Sequence, residues 1–227
     1  MTSIYQKALG KEFEKLHPQI QKRFGFCSKD GIASIGRGIM HEVSYGKLYT
    51  LPFLYVGTWR NIMFPQKGRN IPFTIENYAY VDRFGRETMT WVRKYQFPDK
   101  VRRFDATMIY SEKRKQVIDY LGTHQHLAVD IDFSVTENGG LRLRSGEQRF
   151  YEGIIGFKFP MLFSGYADVC EWYDDAENKF RISVEVKNKF WGRLFHYKGS
   201  FDAAYINVDS EADIPQEVKP VREEIRD

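Results

Sequence analysis

The chain has 227 residues, 42% hydrophobic and 28% charged, a balance that supports a buried core and excludes global disorder. Lys and Arg outnumber Asp and Glu by 34 to 30, but the charges are interspersed and the longest basic run is Lys113-Arg114-Lys115, so the dense stripe that nucleic-acid binding needs is missing. Only Cys27 and Cys170 are present, outside any Cys-x-x-Cys spacing, so no disulfide framework or zinc knuckle is expected and a reducing, cytoplasmic setting is the default.

The opening residues carry no apolar signal region. The most apolar stretches, 51–56 and 153–163, are too short to cross a bilayer and contain Pro or Lys. Aromatic residues make up 16% of the chain, which favours pleated strands over helices and suits either a ring-filled core or a ring-lined cavity.

Tyr5, Leu9, Phe13, Leu16, Ile20 and Phe24 recur at spacings of three and four, one face of an amphipathic helix. Ser3 with Gln6 forms a capping-box pattern at its start. Pro18 ends this helix near His17 and starts a second one, for which Gly25 is the stop. The period then changes to two. Strands are expected over 32–45, 73–82, 87–97, 101–110, 116–121, 123–135, 141–151, 167–173, 180–187 and 194–207.

Asp82-Arg83-Phe84-Gly85 and Asn138-Gly139-Gly140 are turn chemistry between these strands. About ten strands on short turns read as an antiparallel meander, a mainly β fold curled into a large sheet or half-barrel. It forms one domain over residues 1–208, followed by a charged, flexible tail at 209–227 that holds Pro215 and Pro220.

Two apolar segments break the strand rhythm. Residues 48–64 hold Leu51, Phe53, Leu54, Val56 and Trp59, with Thr50 before Pro52 as a helix start. Residues 153–165 hold Ile154, Ile155, Phe157, Phe159, Met161, Leu162 and Phe163. Either both fill the concave face as core, or they form an apolar lid over a cavity or a surface that touches lipid.

Three stretches carry a resemblance: Ser3-Ile4-Tyr5-Gln6-Lys7-Ala8-Leu9-Gly10 with Leu16-His17-Pro18; Gly146-Glu147-Gln148-Arg149-Phe150-Tyr151-Glu152-Gly153; and Gly192-Arg193-Leu194-Phe195-His196-Tyr197-Lys198-Gly199. In these the chain resembles an uncharacterised bacterial family, the domain of unknown function 4166. The resemblance implies a stand-alone or appended bacterial domain and supplies no catalytic residues.

The segment from Thr123 to Phe133 puts His124, His126, Ala128, Asp130 and Asp132 on one strand face and Gln125, Leu127, Val129, Ile131 and Phe133 on the other, the core face. Two imidazoles roughly 6.5–7 Å apart along a strand can converge on one metal ion if a third ligand comes from a neighbour. A three-residue loop at Asn138-Gly139-Gly140 sets His126 opposite Glu152. A two-residue turn sets it opposite Tyr151. The first keeps apolar beside apolar and is preferred. It gives a His124, His126, Glu152 cluster, unless a bulge at Ser145-Gly146 intervenes. The bland alternative is a strand with one wet side.

The same register turns Arg149 onto the apolar face, where it needs a carboxylate such as Asp119, Asp168 or Glu171, or an anionic ligand. The glycines of Gly31-Ile32-Ala33-Ser34-Ile35-Gly36-Arg37-Gly38 lack phosphate-loop spacing and mark a strand bend.

The leading expectation is a non-enzymatic binding domain for a hydrophobic or amphipathic, lipid-like small molecule, with Arg149, Tyr151, Glu152, Tyr120 and Trp172 as candidate ligand-binding residues. An enzyme of unknown reaction using His124, His126 and Glu152, with or without a metal, is the competitor. A protein-interaction domain without a small ligand is the third reading. No cofactor and no nucleic-acid partner are called for, and peripheral lipid contact is compatible.

Overall fold

A computed structural model describes residues 2–227, the side chains of Phe53 and Phe163 excepted. Helix α1 (Ile4–Leu9) starts at the expected capping box, with Ser3 Oγ accepting from Gln6 N and Gln6 Oε1 accepting from Ser3 N. Helix α2 (Pro18–Phe24) has Pro18 in its first turn, His17 as its cap and Gly25 at its end. Helix α3 (Leu51–Thr58) follows Thr50 with Pro52 in its first turn.

The strands are β1 (Ile32–Tyr45), β2 (Gly68–Val81), β3 (Glu87–Phe97), β4 (Lys100–Ser111), β5 (Gln116–Leu121), β6 (Leu127–Val135), β7 (Leu141–Glu152), β8 (Ile155–Lys158), β9 (Tyr166–Asp174), β10 (Lys179–Asn188) and β11 (Gly192–Asn207).

Ten of these close into an antiparallel barrel. Sequential neighbours pair from β1 to β7, β7 then pairs with β9, and β11 returns to β1. The curled sheet thus has no free edge along its main wall. The extra strand β8 pairs with the far half of β7, where β7 and β9 have parted. Strand β6 begins at Leu127 and not at Thr123, because Gly122 and Gln125 both take positive φ and end the pleat.

One end of the barrel is plugged by the N-terminal helices. Arg23, fully buried on α2, pairs with the equally buried Glu171 of β9 and donates to Ser34 Oγ at 2.7 Å and Asn77 Oδ1 at 2.8 Å. Burial raises the Glu171 carboxyl, and Arg23 pulls against that. Within the lumen the rings of Phe73, Tyr95, Phe195, Tyr197 and Phe201 interlock along β2, β3 and β11. Much of the aromatic excess is therefore core. Gly38 is part of the same packing, since a Cβ there would stand 2.0 Å from the Ser200 carbonyl oxygen.

The charged segment after β11 lies along the outer wall. Ile214 and Val218 pack on Tyr78, Tyr80 and Val92. Further on, Tyr120 and Tyr151 donate to the carbonyls of Arg226 and Asp227. Among the described residues no helix is long and apolar enough to cross a membrane.

Candidate functional site

The ring packing leaves the β4–β10 side of the lumen incompletely filled. A cavity of about 90 Å³ lies there, walled by Leu121, Val129, Ile131, Leu143, Val169 and Val184. Its floor is Trp91 and Met108, both held from below by Tyr5 of α1: Trp91 Nε1 donates to Tyr5 Oη at 2.7 Å, and Tyr5 Oη donates to Met108 Sδ at 3.8 Å. The cavity is about three times the share of volume one water takes in the liquid, roughly 30 Å³.

Five polar side chains line this apolar space: Arg93, Asp119, Ser145, Gln148 and Ser164. Asp119 sits mid-strand on β5, opposite Met108 and Val129, and is 6% exposed. Its Oδ1 has no hydrogen-bond partner among the described residues. Burial pushes its carboxyl up to about 7, and the opposing pull of Arg93 does not restore it. The Arg93 guanidinium is committed elsewhere. Its Nε donates to the Phe104 carbonyl at 2.9 Å, its Nη1 to Tyr197 Oη at 3.1 Å, and it lies 3.9 Å over the Phe104 ring. A buried carboxyl oxygen left unpaired in an apolar cavity is costly, and such groups are the ones that meet a water or a ligand.

The cavity leads to the unplugged end of the barrel. It shares Ile62, Met63, Leu127 and Ser164 with a groove of about 360 Å³ framed by Tyr49, Pro52, Val56, Phe159, Leu162 and Trp191. That volume lies within the range of about 300–1,000 Å³ usual for small-molecule sites. The rim is tied together: Tyr49 Oη donates to the Trp191 carbonyl at 2.7 Å, and Trp191 Nε1 donates to the Leu162 carbonyl at 3.1 Å. Across the mouth, Thr123 N donates to the Arg60 carbonyl at 2.9 Å, which pins the segment after α3 to the β5–β6 loop. Of the two apolar segments, one thus supplies α3 and the other β8 and residues 159–165 of the rim.

The candidate residues from the sequence lie outside this cavity. The β6–β7 register starts with Val135 opposite Leu141, a five-residue loop rather than three, and shifts by one where Asp130 faces both Gly146 and Glu147. Beyond that bulge the inward positions on β7 change from Leu141, Leu143 and Ser145 to Gln148. Arg149 therefore points outward, opposite Ala128, and not onto the core face. Its partners are Asp130 at 2.6 Å and Glu147 at 3.3 Å, not Asp119, Asp168 or Glu171. Asp168 pairs with Arg142, and Glu171 with Arg23.

His126 faces Tyr151 along the ladder, whose N donates to its carbonyl at 2.8 Å, yet its Nδ1 still lies 2.8 Å from Glu152 Oε2. The His124 and His126 rings stack, centroids 5.7 Å apart and planes 15° apart, and Arg60 Nη1 lies 3.0 Å from His124 Nε2. Burial and Arg60 lower the His124 pKa. Stacked rings send their nitrogen lone pairs along parallel planes, and among the described residues no group of three His, Cys, Asp or Glu is placed to hold a metal. Tyr120 and Tyr151 share an outer cluster beneath the C-terminal segment, and Trp172 occupies the outer face of β9, between the inward Glu171 and Tyr173.

Asp119 and Arg93 carried a sequence signal of their own. Val117-Ile118-Asp119-Tyr120-Leu121 is apolar on both faces, so the acid has no wet side to occupy. Trp91, Arg93 and Tyr95 place a cation between two rings on one face of β3.

Fold and site together define a closed antiparallel β-barrel with one plugged end, one open apolar mouth and, among the described residues lining the cavity, one acid without an ion-pair partner. The chain belongs to the family described as Domain of unknown function (DUF4166), which it matches over residues 16–201. It is similar to the Uncharacterized protein YndH of Bacillus subtilis (strain 168), with 35% identity over 203 residues that cover 88% of this chain and 97% of that protein. Two of the three resembling stretches, 146–153 and 192–199, and Leu16-His17-Pro18 fall within the family match, which also spans every wall of the cavity.

Proposed function

We propose that this barrel is a non-enzymatic binding protein for an amphipathic small molecule, whose apolar part lies in the mouth groove and whose polar end reaches Asp119. The observation that carries the reading is the unpartnered Asp119 oxygen inside an apolar cavity continuous with the mouth. A hydrogen-bond donor or a cation, such as a hydroxyl or an ammonium group, satisfies that oxygen. A carboxylate ligand would meet it with like charge. The ligand's chain replaces water against Ile62, Met63, Leu127 and Leu162, a stabilising burial of apolar surface.

Native mass spectrometry of the freshly purified protein tests the reading, combined with titration by a long-chain alcohol, a long-chain amine and a fatty acid. A mass excess that disappears on denaturation, or saturable binding of the alcohol or amine that Asp119→Asn weakens, supports it. A protein that carries no excess and binds none of the three probes overturns it.

A further inference from the structure

We infer that the open end of the barrel docks on a bilayer surface bearing anionic lipids. Beside the short β3–β4 turn and the β5–β6 loop, three longer segments build this end: residues 46–67 between β1 and β2, 153–165 between β7 and β9, and 187–193 around the β10–β11 turn. Together they hold seven Lys and Arg and not one Asp or Glu. They also gather large apolar side chains that face solvent: Leu48, Tyr55, Val56, Ile154 and, most exposed of the described rings, Trp59 at 84% and Phe190 at 70%. The Tyr49–Trp191 and Trp191–Leu162 contacts join the three segments into one surface.

Helix α3 has no charged residue in Leu-Pro-Phe-Leu-Tyr-Val-Gly-Thr. Leu54 turns inward, yet Pro52, Tyr55 and Val56 are left exposed, so its outer face is as apolar as its inner one. Such a helix wants cover on both sides. The chemistry of that cover follows from the charges.

Acids near this end already face a basic group: Asp99 faces Lys100, Glu147 faces Lys158, Glu152 faces His126, and Glu185 faces Lys187 and Arg193. Among the described residues no carboxylate pairs with Lys47, Arg60, Lys67 or Lys189. Exposed Trp, Tyr and Phe beside unpaired Lys and Arg are the residue types that sit at the headgroup level of an anionic membrane. The plugged end is different in kind, with both signs mixed in Lys11, Glu12, Glu14 and Lys15. The barrel wall carries ion pairs such as Glu76–Lys94 and Asp174–Arg181 on its outside. Contact with lipid is thus through one end and not through the wall, and it sets the groove against the bilayer.

Co-sedimentation with vesicles of phosphatidylcholine alone, and of equal parts phosphatidylcholine and phosphatidylglycerol, tests the inference. Wild-type protein is expected on the anionic vesicles only, and released by salt. Trp59→Ala with Phe190→Ala, and separately Lys47→Glu with Lys189→Glu, should each weaken binding by about tenfold or more at an unchanged Tm. Asp119→Asn should dock as wild type does, so an empty cavity and a failed dock give different results.

No binding to anionic vesicles, equal binding to both compositions, or retention by the Trp59/Phe190 variant overturns the inference. So does self-association that this variant abolishes, which would assign the surface to a second copy of the chain.

Discussion

Asp119 and Arg93 line one cavity and feel each other's charge without forming an ion pair. The guanidinium is spent on Phe104 and Tyr197, so the carboxyl must find its partner elsewhere or hold its proton.

That relationship sets a pH dependence. The Asp119 carboxyl titrates near 7 in the fold against 3.8 when unperturbed, so between these values the folded state holds the proton and the unfolded state does not. Its stabilising share is present below pH 3.8 and lost as pH rises toward 7. Three units correspond to about 4 kcal/mol as an order of magnitude. Asp119→Asn should remove this slope, so that the variant gains on the wild type from pH 4 to pH 8 in urea unfolding. Parallel stability curves for the two proteins would contradict the reading.

The plug hangs on Arg23. Replacing it by Ala leaves Glu171 buried without its cation and should cost roughly 3–5 kcal/mol. Glu171→Gln, which keeps an acceptor for Arg23, should cost less. Denaturant midpoints of the two variants decide the order.

Gly122 seals the side of the mouth. It takes φ +74°, and a Cβ there would stand 2.1 Å from the Arg60 carbonyl oxygen. Gly122→Ala is expected to destabilise by at least about 1 kcal/mol and to raise amide exchange in residues 59–63 before the rest of the barrel.

The stacked histidines should be indifferent to metal. His124→Ala with His126→Ala is expected to leave bound metal, measured by elemental analysis, the same as in wild type, and to shift stability by about 1 kcal/mol or less. Stoichiometric zinc lost in the double variant would restore the metal reading.

Nearly every strand was legible, because Ile32–Tyr45, Glu87–Phe97 and Gln116–Leu121 are rich in β-branched and aromatic residues and are bounded by turns. The capping box at Ser3 and the start of α2 at Pro18 were equally local signals, but α1 ends at Leu9, where Gly10 takes φ +53°, and does not run on to Pro18. Register was not. One extra residue opposite Asp130 leaves the composition of both strands unchanged yet reverses which face Arg149 takes, and with it every side chain out to Glu152. The burial of Asp119 was legible, but the side it takes was hidden for a different reason. A strand apolar on both faces gives no alternation to assign it, and only the closed barrel separates the lumen from the outer wall.

Closure also dictates the order in which the chain can fold. Hairpins from β2 to β6 need only neighbours, but the ring completes when β1 meets β11, Ile32 against Asn207 and Tyr45 against Phe195, and the Arg23–Glu171 contact spans 148 residues. Loop entropy for such distant pairings is lost before any contact repays it, which makes the final zipping slow. During synthesis the inner faces of ten strands stay wet until the last one leaves the ribosome. A nascent chain stalled before β11 is therefore an open, apolar trough, the form of this protein most in need of a chaperone.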